Sequence, residues 1–314
     1  MNKKVYNRVN PFNEFWIDCY STAIFSILQS FYDVDKSVYY NNNYEYECSQ
    51  NVRTLMWRTY IKLNLEDIID NIFVNKELHD FTKDEDIVSN LKYYVDRKRI
   101  IFLGIDMYYG IPDTSQWKKH HIHHNILVEG YDEEYFYVLE TGEHGYKEYR
   151  LTYEEITKAA REFTCFTRDT EIFELKEVGK KIEINKIEYI RNAKVIINSI
   201  DNLCKKIDDM WHIAPEKILS MRDEIDSHLK AIRNRQGVNA DFLKNIESDN
   251  EYESQIKSFL KLQEDYRLLI DDINEICVSG QYYDKEKQVK EVFNNLLITE
   301  KNLWNEFIKI EENL

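Results

Sequence analysis

The chain has 314 residues, 43% of them apolar, enough to bury a real core, so disorder is excluded as its main state. Its 57 acidic residues against 42 basic ones leave a net charge of −15, and neither half is basic. That balance offers no footprint for a phosphate backbone, excludes nucleic acid as the expected partner and favours a cationic one. No apolar run reaches the roughly eighteen residues of a membrane span, and the first thirteen residues lack an apolar core with a cleavage site. The expectation is a cytoplasmic protein without a membrane partner.

Taken in chain order, the sequence predicts an apolar helix over Cys19–Phe31, a second helical stretch over 52–63, and a β-rich run, RIIFLGIDMYY, over 99–109. Two strands follow, HHNILVEGYD and EYFYVLE. The polar interval Asp132, Glu133 and Glu134 between them predicts an antiparallel pair. Thr152 with Glu155 three positions on is a capping box that opens a short helix, and EIFELKE reads as a closing strand. After Gly179 strand signals stop. Ile190, Ala193, Ile197, Ile200, Cys204 and Ile207 recur at spacings of three and four, and similar seams run through Ile218–Ile232, 252–259 and 289–307. Breaks are expected near Pro215, Gly237 and Gly280. The expected organisation is an α+β domain over 1–178 followed by an all-α bundle of about four helices over 179–314, suited to dimerisation, a lid or docking.

Five cysteines (Cys19, Cys48, Cys165, Cys204, Cys277) form an odd, scattered set with no CxxC pair, so neither a disulfide framework nor a cysteine zinc site is indicated. Cys19 differs in placement. It meets the first turn of an apolar helix, where the macrodipole favours a thiolate. A small buried hydrophobe is the competing reading there, and the preferred one for the other four. A thiol nucleophile needs a base, and KKHHIHHNILVEGYD holds four of the eight histidines. In an extended chain His120 and His124 face one way and His121 and His123 the other, so convergence on one zinc ion requires a bend and no metal is expected. His124 directly precedes the apolar strand and would be held on a rigid element. Glu140, sixteen residues on, ends the next strand; a hairpin brings the two ends together, where a carboxylate can orient an imidazole. Asn13, six positions before Cys19, could offer an amide to an oxyanion.

Cysteine opening an apolar helix, then H-x5-G-Y-D and a strand ending in an acid, resembles the papain-like cysteine-enzyme pattern. DCYSTA followed by HNILVEGYDEEYFYVLE resembles more closely the N-terminal family of butirosin biosynthesis protein H, over about residues 10–175. It is also similar to the cysteine-protease homologue that forms amide bonds in closthioamide assembly. The resemblance implies a papain-like fold with an antiparallel sheet, and transfer of an acyl chain from a carrier-protein thioester through an acyl-cysteine to an amine. It implies Cys19 as nucleophile, His124 as base and then acid, and Glu140 as orienter, with no cofactor. Two positions depart from the pattern. The strand ends Glu-Thr where Asp-Pro is common, and Asn13 stands in place of Gln.

Three functions follow as expectations. The first is an amide-forming acyltransferase with a diamine or aminoglycoside acceptor, which suits the acidic chain, and a carrier-protein donor, which needs a local basic patch. Lys3, Lys4 and Arg8, Arg97 to Arg99, or Lys118 and Lys119 could supply it. The second is a cysteine peptidase or amidase, which shares nucleophile, base and oxyanion donors. The third is a non-enzymatic binding module, with a homodimer through the seamed helices and a vestigial triad.

Overall fold

In a computed structural model, residues 4–5, 7–16, 18–51, 56–112, 114, 116–142, 145–162, 170–183, 186–210, 215–247, 250–279 and 282–313 are described. In chain order the elements are β1 (Lys4–Val5), α1 (Cys19–Phe31), β2 (Asp33–Val34), α2 (Lys36–Tyr40), β3 (Tyr44–Asn51), β4 (Met56–Leu63) and α3 (Glu66–Ile72). Then come β5 (Phe73–His79), α4 (Ile87–Asp96), β6 (Ile100–Asp106), β7 (His123–Tyr131), β8 (Tyr135–Gly142), β9 (Gly145–Thr152), α5 (Tyr153–Arg161) and β10 (Thr170–Leu175). The two-residue β11 (Lys181–Ile182) precedes four long helices: α6 (Lys186–Met210), α7 (Pro215–Ile246), α8 (Glu253–Ser279) and α9 (Tyr282–Asn313). No described helix is long and apolar enough to cross a membrane.

The chain divides into two units, Met1–Val34 with Glu66–Lys181, and Asp35–Leu65 with Ile182–Leu314. This departs from the single boundary expected at 179, because residues 35–65 belong with the C-terminal helices. The hairpin supplies the phenols of Tyr44 and Tyr46, which the helices need.

The first unit is built on a seven-stranded antiparallel sheet in the order β5-β10-β6-β7-β8-β9, with β1 beside β7. All seven residues of β6 are buried, as a central strand flanked on both faces demands. On one face Ile101, Leu103, Ile105, Ile126, Val128 and Val138 pack against Leu91 and Val95 of α4 and Ile156 and Ala159 of α5. On the other, Phe102 meets Tyr20 of α1 at 5.2 Å between ring centroids. The Thr152–Glu155 capping box forms as expected and starts α5. The β7–β8 ladder likewise forms, from Tyr131–Phe136 to Leu127–Leu139 with a bulge after Val128.

The second unit holds the hairpin β3–β4, with β3 packed on α6 and β4 on α7. The helix expected over 52–63 is therefore corrected where it is described: Met56–Leu63 is a strand. Tryptophan, threonine, tyrosine and isoleucine in WRTYI suit a pleated surface better than a helix, while 52–55 lie outside the described residues. The break expected at Gly237 is also corrected, since α7 runs unbroken through it. A Cβ at Gly237 would stand 2.5 Å from Gln263 Nε2 of α8, so this glycine leaves room for the Gln263 amide. Trp304 sits at the centre of the helical core, with Phe259, Phe307 and Phe242 at 5.2, 5.6 and 6.2 Å.

Candidate active site

Asp18 begins the site. Its carboxylate accepts from Ser21 N–H and Ser21 Oγ–H at 2.8 and 2.6 Å, which fixes where α1 starts and makes Cys19 its first residue. Residues 21–28 behind it are all buried, so the helix is anchored along its length and Cys19 cannot drift from the sheet end it faces. First-turn N–H groups have no intrahelical acceptors, which gives this end of the helix its positive character.

Just beyond the Leu127–Leu139 pair, where β7 begins and β8 ends, His124 Nε2 lies 2.8 Å from Glu140 Oε2. Cys19 Sγ, a nitrogen of His124 and a carboxylate oxygen of Glu140 all lie within 4.8 Å of one another. With Nε2 against Glu140, Nδ1 is the nitrogen left to serve the thiol. Glu140 is 2% exposed, so its charge acts through little water. Burial on its own would push the proton off His124, but hydrogen bonding and charge from Cys19 and Glu140 outweigh it and hold the imidazole's pKa well above its ordinary value. His124 thus stands between the Cys19 sulfur and the Glu140 carboxylate.

The neighbouring residues are arranged differently. His123 is driven down by burial and then by the charge of His124, and its Nε2 lies on the Gly104 side, 3.2 Å from where a Cβ there would stand. Strand alternation separates these two histidines, as the sequence predicts. Tyr146 of β9 was not anticipated. It is buried, and burial followed by the charges of Glu140, Cys19 and Glu129 keeps its phenol neutral far into the alkaline range. It borders the site as a hydroxyl rather than an anion. The signal that could have found it is the β8–β9 hairpin, which pairs Tyr146 with Thr141 next to Glu140.

Asn13 is placed otherwise than expected. Its Nδ2 donates to Tyr146 O at 3.0 Å and its Oδ1 accepts from Tyr146 N–H at 2.8 Å. A side-chain amide has the donor and acceptor spacing of a backbone amide, so Asn13 bridges the N-terminal segment to β9 and spends its carbonyl and one N–H there. These two bonds give Asn13 a positioning role between the N-terminal segment and β9. Among the remaining thiols, burial raises Cys48 and Cys204 above the usual range, Cys277 is buried, and Cys165 lies outside the described residues.

Cys19, His124 and Glu140 are also a possible donor set for a metal ion. Two ligands each about 2.0–2.1 Å from a tetrahedral zinc stand about 3.3 Å apart. The 2.8 Å approach of His124 to Glu140 is closer than that and fits direct contact between imidazole and carboxylate. The fold and site together define an α+β chain with a cysteine–histidine–glutamate cluster at one sheet end. No protein-family model matches the chain, and no curated protein matches it at a significant level.

Proposed function

We propose that the first unit is a papain-like cysteine acyltransferase that forms amide bonds, taking an acyl or peptidyl chain from a carrier-protein thioester and passing it to a cationic amine. The single observation that carries this reading is the convergence of Cys19, His124 and Glu140, whose donor atoms all lie within 4.8 Å of one another. Cys19 attacks the thioester carbonyl while its proton resides on His124. The oxyanion forms at the N-terminus of α1, where first-turn N–H groups and the helix dipole favour negative charge; one such donor is worth about 2.7–4 kcal/mol. His124 then protonates the departing thiol, leaving an acyl-cysteine. An amine attacks that carbonyl, and His124 receives a proton from the adding nitrogen as the Cys19–carbon bond breaks. Glu140 holds the imidazole's orientation and balances its charge throughout.

The carrier needs a basic surface near the site. Lys118 and Lys119 are exposed on the connection between β6 and β7, at the sheet end that holds the cluster. Arg97 to Arg99 precede β6 at the opposite end, where Arg99 pairs with Glu174 and Arg97 lies over the Tyr93 ring. This favours Lys118 and Lys119 as the docking pair.

The test is intact mass after incubation with an acyl thioester, with and without a primary diamine. The reading expects an adduct on Cys19 that is consumed to an amide when diamine is added. Release as free acid regardless of amine would make the protein a hydrolase, and no adduct with any thioester would leave the binding-module reading.

A further inference from the structure

We propose that His121, oriented by the buried Asp106, is the base that deprotonates the incoming amine, a proton-transfer site separate from the Cys19–His124–Glu140 cluster. The proposal rests on the acyl-transfer reading above and adds to it the group that makes an ammonium acceptor nucleophilic. Asp106 ends β6 and is 2% exposed. One of its oxygens accepts from Tyr108 N–H at 2.9 Å; the other lies 2.7 Å from His121 Nδ1. A neutral imidazole that gives Nδ1–H to this carboxylate keeps its lone pair on Nε2, the tautomer a base requires. The His121 ring is fixed by stacking on Tyr108, at 4.3 Å and 15°, with Tyr109 edge-on at 5.8 Å. Its side chain is nevertheless 55% exposed, so the ring edge opposite the buried carboxylate is open to solvent.

The location suits the role. The β6–β7 register pairs Asp106 with His123 and Ile105 with His124, so Asp106 and His124 stand at the same end of two adjacent strands, and His121 lies three residues before His124 on the connection that enters that end. An amine that reaches an acyl group on Cys19 arrives as an ammonium. It must shed two protons overall. His124 takes up the one released as the carbon–nitrogen bond forms and the carbon–sulfur bond breaks, which restores the starting Cys19–His124 pair. The earlier one, lost before attack, needs another acceptor with access to water, and His121 Nε2 passes it to solvent. Atoms balance: acyl-cysteine and ammonium give amide, free thiol and one proton in water. An exposed base that serves the amine is also what would separate a transferase from a hydrolase built on the same cluster.

The experiment is single-turnover partition of the preformed acyl-enzyme in wild type and His121→Gln, with two amines, a diamine that is protonated at pH 7 and an amine already neutral at that pH. The expected result is a fall of about a hundredfold in amide formation from the protonated diamine, the lower range for general base catalysis, with far less effect on the neutral amine. A merely structural role would slow both amines alike and overturns the proposal. Equal partition in variant and wild type overturns it too, while leaving acyl transfer standing. Failure of wild type to form any acyl adduct removes the reading underneath and the proposal with it.

Discussion

Replacing Glu140 by Gln tests the electrostatic logic of the site most directly. The carboxylate is 2% exposed and lies 2.8 Å from His124 Nε2. At an effective dielectric of about 20, opposite charges about 4 Å apart attract by about 4 kcal/mol. The amide of Gln restores a hydrogen-bond acceptor worth about 1 kcal/mol. The net loss in a transition state carrying an imidazolium is then about 3 kcal/mol, or about a hundredfold in kcat/KM. The proton affinity of His124 should fall, because hydrogen bonding and charge from Glu140 are among the forces that hold it above its ordinary value against burial. The same raised value has a stability consequence. Its contribution to folding is full below 6.5, the ordinary histidine value, and is lost as pH rises through the folded value. The stability gap between wild type and Glu140→Gln in urea should therefore be larger at pH 6 than in alkaline buffer. Steady-state kinetics with a thioester, a nitrogen-15 imidazole titration and urea melts at two pH values measure the three consequences. A variant with kcat/KM within twofold of wild type and an unchanged His124 titration would refute the assignment.

Cys19→Ala should abolish adduct formation and turnover with an unchanged circular dichroism melt, whereas Cys204→Ala should cost only packing; a large catalytic loss at Cys204 would reassign the nucleophile. The pair Lys118→Glu and Lys119→Glu should raise KM for a carrier-bound thioester several-fold, with little change for a small thioester; equal effects on both would remove the docking role. In the second unit, Glu300→Gln should lower stability by about 3–5 kcal/mol in a urea titration, because it breaks a buried ionic network and turns donors toward donors; a loss under 1 kcal/mol would show the network to be dispensable.

Local signals made a good part of the site legible. Asp18 ahead of an apolar run marks the start of α1 and so the position of Cys19, and DEE between two apolar strands marks the hairpin that carries His124 and Glu140 toward one another. What stayed hidden depends on partners far along the chain. His121 shows no special character in KKHHIHH; it acquires one when the β6–β7 register brings it to Asp106, fifteen residues earlier. The Asn13 side chain and the Tyr146 backbone are joined across 133 residues by hydrogen bonds that no spacing rule anticipates. Glycine disfavours helices and so marks a break at Gly237 in the sequence, yet α7 runs through it with the Gln263 amide packed close by.

The boundary expected at 179 fails for a reason that polar accounting makes clear. Glu300 and Arg235 are both fully buried, and either charge alone would cost several kcal/mol in a bundle interior. Glu300 accepts from the phenols of Tyr44 and Tyr46 and from Gln236 Nε2 at 2.8 Å. Tyr44 in turn accepts from Asn239 and from Trp304 Nε1, and the Arg235 guanidinium lies 4.5 Å over its ring while donating to Asn239 and to the carbonyl of Asn41. Burial raises Glu300 and lowers Arg235 to about 10, and hydrogen bonds and charges from their neighbours offset part of that penalty on each. Half of those neighbours come from residues 41–46, far ahead of the helices in the chain. Four helices with this sequence would bury a carboxylate and a guanidinium with too few partners. The hairpin is therefore part of the helical fold, and the apolar seams alone could not reveal it, because a seam records which side chains leave water and not how the polar ones among them are satisfied.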